Sequence, residues 1–166
     1  KVIIVYELAE GEGLTVEMVK DLAIEGDYAK RIAFTVSLFE PLFRALASLW
    51  ENGYSHQDVL GFPYARNFKI EIQDSKVAQL KLFDYSRLAK RTPATEHKDC
   101  GELQDVLEVL EEAWGKAFLE NPTPENVTPP ENLTDILKVV QLLRKERLSE
   151  NDDKEIVEAI QEAVAK

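Results

Sequence analysis

Three oxygen-tipped side chains stand out by position: Asp58 in His56-Gln57-Asp58, Asn67 at the head of Asn67-Phe68-Lys69-Ile70, and Asp84 in Phe83-Asp84-Tyr85-Ser86. Magnesium takes carboxylate and amide oxygens and leaves the rest of its shell to water and phosphate. An Asn opening one strand and an Asp closing the next would be held at fixed separation, which is the layout a magnesium-phosphate site needs. Taken singly, each residue has a plainer reading. An Asp at a strand end is commonly a turn residue, an Asn can simply open a strand, and a lone His is most often a satisfied structural group.

The elements that would position these groups are readable from hydrophobic spacing. Ile32, Val36, Phe39, Phe43, Leu46 and Trp50 recur in steps of four and three, which predicts one long helix over Asp27 to Trp50. Pro41 falls off that stripe, so a kink is expected with Pro41 on the wetter, convex side. Asn52 and Gly53 supply a left-handed stop. Alternation over Asn67 to Ile72 and Val77 to Phe83, around Gln73, Asp74 and Ser75, predicts a hairpin. Val2 to Leu8 reads as a buried strand with a flexible exit through Glu10 to Gly13, and Leu14 to Ile24 as a short helix capped by Thr15. Ser86 to Lys98 reads as a loop and Asp99 to Phe118 as a helix. A Pro-rich connector occupies 121–131. Two last helices are expected, one beginning near Asn132 or Thr134 and one over Asn151 to Lys166.

With 166 residues, the chain has the size of one domain. Its net charge of −11 repels phosphate backbones and anionic lipid, which argues against nucleic acid and membrane surfaces as partners and favours divalent cations. No apolar run looks long enough to cross a bilayer, and no signal peptide is seen. The single Cys100 excludes an internal disulfide or a multi-cysteine zinc site and fits a reducing, cytoplasmic setting. Gly-x-Ser-x-Gly, a zinc-binding His pair and a Walker loop are all missing. The chain opens on Lys1 inside an apolar strand, so it reads as a piece of something longer.

In order, the long helix, His56-Gln57-Asp58, Asn67, Phe83-Asp84-Tyr85-Ser86 and a helix headed by Asp99 resemble the C-terminal lobe of the protein kinase-like superfamily. The resemblance implies a mainly α (α+β) fold, a helical bundle with a small two-stranded hairpin. Residues 1–13 would be the last N-lobe strand and hinge, 14–120 the core helices and hairpin, and 132–166 the C-terminal helices. It implies ATP and magnesium as cofactors, Asp58 as the base for a hydroxyl acceptor, Asn67 and Asp84 as metal ligands, and Glu7, Leu8 and Ile70 as nucleotide contacts. His56 would pack the loop, and Asp99 would receive backbone amides from it.

Departures from the pattern are specific. Asn67 lies nine residues after Asp58, where the motif places it five after, so 61–64 reads as an insertion. Gln57 replaces the Arg that pairs with a phosphorylated activation segment, and Ser86 replaces a Gly. Leu60 stands where a phosphate-steadying Lys is found, with Arg66 as the candidate substitute. The Gly-rich loop and its Lys strand are not in this chain, so phosphotransfer would need an N-lobe in cis or from another chain. Two alternatives stay open: a pseudokinase scaffold, and a helical interaction module whose last two helices dock a protein partner.

Overall fold

A computed structural model describes residues 11–24, 26–61, 67–119 and 131–165. The element that organises them is helix α2, Tyr28–Glu51, capped by the Asp27 carboxylate, which accepts the Lys30 amide at 3.1 Å. Every residue of the expected stripe is buried, and so are Phe34, Thr35, Leu38, Leu42 and Ala47. The helix is therefore covered on more than one side, by the segments Tyr54–Ser55, Lys76–Leu82, Glu131–Leu142 and Glu150–Ala165. It is long and apolar enough, by length and composition, to cross a membrane, where the sequence reading found no such run. Its apolar surface is instead packed against those elements. Pro41 sits within one unbroken helix and is half-buried, wetter than the buried stripe beside it. Four residues earlier, Ser37 accepts the Val77 amide on its hydroxyl at 2.9 Å and ties the helix to the hairpin.

Before α2 comes α1, Val16–Asp21, capped by Thr15 as expected; it packs on α3. After α2, the backbone turns at Gly53, whose φ is +84°. Strand β1, Tyr54–Ser55, pairs antiparallel with β4, Ala89–Lys90. Strands β2, Phe68–Gln73, and β3, Lys76–Leu82, form the predicted hairpin, with Phe68 opposite Leu82 and Gln73 opposite Lys76. Asp74 and Ser75 both take positive φ, at 52° and 59°. That conformation matches the twist of a tight hairpin. The exit read as flexible is pinned instead: Glu12 exchanges backbone hydrogen bonds with Ile70 at 2.9 and 2.8 Å.

The stretch read as a loop over Ser86 to Lys98 holds β4 and the first turns of a helix. Helix α3 runs Pro93–Trp114, with Thr92 and Thr95 capping each other's amides and Pro93 in the first turn. Those cap signals lie in a charged segment without apolar spacing, so periodicity places the start too late, at Asp99. The far end also differs, because Gly115 breaks the helix at φ +90° and Lys116–Leu119 form a separate 3-10 turn. Helix α4, Glu131–Leu142, buries Ile136, Val139 and Val140, and α5, Glu150–Ala165, buries Ile156 and Ile160. Val164 is only partly buried, and Ala163 is buried beside it. Among the described residues the architecture is mainly helical with two small antiparallel strand pairs. The opening strand over 2–8 and the connector at 121–130 lie outside the described residues.

Candidate functional site

The loop from His56 to Gly61 leaves α2 through β1 and is fastened from below by α3. Asp99 is fully buried there. Its carboxylate accepts the Trp50 indole N–H at 2.9 Å, the His56 amide at 3.2 Å and the Gln57 amide at 2.7 Å. Burial pushes the Asp99 carboxyl above its ordinary range, opposed by these same bonds. Hydrogen bonds to a charged group are worth about 1.5–3 kcal/mol each. One carboxylate in α3 thus fixes both the end of α2 and the first two residues of the loop. Gln57 adopts a positive φ of 68° in doing so. Arg91 secures the neighbouring turn, donating to the Trp50 carbonyl at 3.1 Å while pairing with Glu96 at 2.6 Å.

Above this anchor, the residues singled out by sequence close into a ring of hydrogen bonds. The Asp58 amide donates to His56 Nδ1 at 3.1 Å, and His56 Nε2 faces the Phe83 carbonyl at 3.2 Å. The Phe83 amide donates to the Asn67 carbonyl at 2.8 Å, and Asn67 Nδ2 donates to the Asp58 carbonyl at 2.5 Å. The two imidazole contacts select one neutral tautomer, with the proton on Nε2. Burial lowers the His56 pKa, against the Phe83 carbonyl and the carboxylates of Asp99, Asp58 and Asp84. A proton added to Nδ1 would remove the acceptor for the Asp58 amide. The ring is therefore closed only while His56 is neutral, although the bonds to Phe83 and from Asn67 do not depend on Nδ1.

Each candidate residue can now be placed. Asp58 is joined to Asn67 through that carbonyl, and its carboxylate lies 3.8 Å from Arg87 Nε. Asn67 is buried with its amide nitrogen committed to Asp58, and among the described residues its amide oxygen makes no hydrogen bond. Gly61, at φ +74°, lies against it, and a Cβ there would come within 2.8 Å of Asn67 Cγ. Asn67 thus meets the loop only because position 61 has no side chain. Asp84 is exposed with φ 59°. Hydrogen bonds from the Ser86 side chain and amide hold its carboxyl below the ordinary range, the amide at 3.3 Å. Ile70 is fully buried in the core, so its side chain is a packing group. Glu7, Leu8 and Arg66 lie outside the described residues.

The donor set suits a hard divalent cation in type. Asn67 offers an amide oxygen without a hydrogen bond among the described residues and Asp84 an ionised carboxylate, and magnesium is commonly held by one or two such groups with phosphate and water completing the shell. Among the described residues, no group of three His, Cys, Asp or Glu side chains could hold a metal by itself.

Sequence reasoning does not single out Arg87, Tyr85 or Glu102. Tyr85 packs edge-on against the His56 ring with centroids 5.1 Å apart, and Glu102 accepts the Leu60 amide at 3.3 Å. Arg87, three residues past Asp84, was visible as the first cation after the hairpin. Compared with protein-family models, curated proteins and solved structures, the chain matches none.

Proposed function

We infer that the chain is the C-terminal lobe of a kinase-like phosphotransferase that uses ATP and magnesium, with an N-lobe supplied in cis or by another chain. The observation that carries this reading is the closed hydrogen-bond ring through His56, Asp58, Asn67 and Phe83, seated on the buried Asp99. A helical module resembling a kinase by accident has no physical reason to unite these residues, far apart along the chain, in one network.

In this reading Asp58 accepts the proton of the acceptor hydroxyl, a task its carboxylate can perform from the rim of the ring. Asn67 Oδ1 and Asp84 would hold magnesium, which supplies charge neutralisation across the nucleotide phosphates. His56 keeps Asp58 in register with the hairpin end. Asp99 performs no chemistry and holds the loop.

Manganese with ATP tests the metal site. Paramagnetic broadening should centre on the Asn67 side-chain amide and the Asp84 backbone amide, and Asp84→Asn should remove it. Broadening spread over the acidic surface and indifferent to Asp84→Asn would defeat the assignment. In the complete protein, Asp58→Asn should lower turnover by about 10²–10⁴-fold.

A second reading, a pseudokinase scaffold, is favoured by one feature: the Asp84 carboxylate already accepts the Ser86 amide, a local turn that competes with a metal. Gln57 and Leu60 fit that reading as well. It predicts no phosphotransfer for Asp58→Asn to abolish.

A further inference from the structure

The phosphotransferase reading leaves one part unassigned, a cation facing the transferred phosphate. Leu60, at the position where a lysine would supply it, is apolar and packs partly buried against the core. Arg87 comes close to Asp58 instead. Its Nε lies 3.8 Å from Asp58 Oδ2, and its side chain is 64% exposed while that of Asp58 is 19% exposed. It also lies close enough to Asp84 to act electrostatically on that carboxylate.

The backbone at Arg87 is held in place. Gln57 Nε2 donates to the Arg87 carbonyl at 2.9 Å, while the Gln57 amide is bound to Asp99 at 2.7 Å. Two residues further on, β4 pairs with β1, and the Arg91 amide donates to the Gly53 carbonyl at 2.8 Å. The segment after the hairpin is thus tied to the loop at both ends by bonds that need no phosphorylated residue. Stability does not account for the placement, since exposed ion pairs contribute between nothing and about 1 kcal/mol. A long guanidinium with most of its surface in water and one edge toward Asp58 has donors to spare for an anion.

The geometry points to Arg87 as the cation that engages the terminal phosphate of the nucleotide beside Asp58, with Gln57 as its positioning residue. This rests on the phosphotransferase reading. It also replaces phosphorylation of the segment by a fixed tether, Gln57 to the Arg87 carbonyl.

The test compares Mg·ATP and Mg·ADP binding to the complete protein by calorimetry, since only ATP carries the terminal phosphate. Arg87→Ala should weaken Mg·ATP by about tenfold and leave Mg·ADP unchanged, with partial recovery in Arg87→Lys. Equal affinities of wild type and Arg87→Ala for Mg·ATP, or an equal loss for both nucleotides, overturn the assignment while leaving the phosphotransferase reading in place. Failure of the wild type to bind either nucleotide overturns both. Because Arg87 is largely exposed, the variant should fold normally, and an unchanged melting temperature verifies it.

Discussion

Asp99 and Asp84 are both aspartates close to His56, yet their surroundings push them in opposite directions. Asp99 is sealed beneath the loop, with its pKa raised by burial and its oxygens taken by an indole and two backbone amides. Asp84 stands in water at the hairpin end, with its pKa lowered by Ser86. The first is committed to the fold and has nothing left for a ligand. The second is ionised, and its bonds to Ser86 form a short local turn that a stronger partner can displace. The site is therefore a rigid floor beneath an open rim, and residue type alone does not say on which level an aspartate sits.

Removing the floor should have the largest effect. Asp99→Ala strands the Trp50 indole and two loop amides in the core and should cost about 3–5 kcal/mol in urea denaturation. Asp84→Asn should leave the denaturation midpoint where it is. Equal effects from the two substitutions would erase the distinction between floor and rim.

Gly61→Ala probes the contact between them. An L-residue pays about 1–2 kcal/mol for the left-handed conformation, and the new Cβ would meet Asn67. The expected outcome is that loss of stability together with a displaced Asn67 side-chain amide in NMR spectra. An unmoved Asn67 signal would show that the loop and hairpin do not depend on this close approach.

The smallest effect concerns pH. Since burial lowers the His56 pKa in the folded state, the unfolded chain binds more protons below about 6.5. The contribution is fully present above that value and is lost as pH falls toward the folded-state pKa. Asp99, with a raised pKa, works in the opposite sense from about 3.9 upward. Comparing wild type with His56→Gln at pH 7.5 and 5.5 removes the Asp99 share. Wild type should lose more stability on acidification than the variant, and equal losses would mean that the ring does not hold His56 neutral.

Much of this arrangement was legible in residue order. The apolar stripe of α2, the Asp74-Ser75 turn and the Thr15 cap report local preferences, which act over a few residues and so survive in the sequence. The start of α3 was missed because Thr92-Pro93 signals a helix by capping chemistry, inside a charged stretch where hydrophobic spacing is silent. His56, Asp58, Asn67, Asp84 and Asp99 could be named as a set, because their types and order form a pattern. The ring that joins His56, Asp58 and Asn67 could not, since it depends on the Phe83, Asn67 and Asp58 carbonyls, and every residue has a carbonyl.

What the sequence determined by itself was which segments are helical, where the hairpin turns, and which oxygen-bearing side chains fall near its ends. Only the tertiary structure decided that Asp99 is a buried support, that Asp84 remains in water, and that Arg87 comes to Asp58. Burial and the pairing of distant backbone groups arise when α2, α3 and the hairpin close on one another, and the pKa and reach of each side chain follow from that closure.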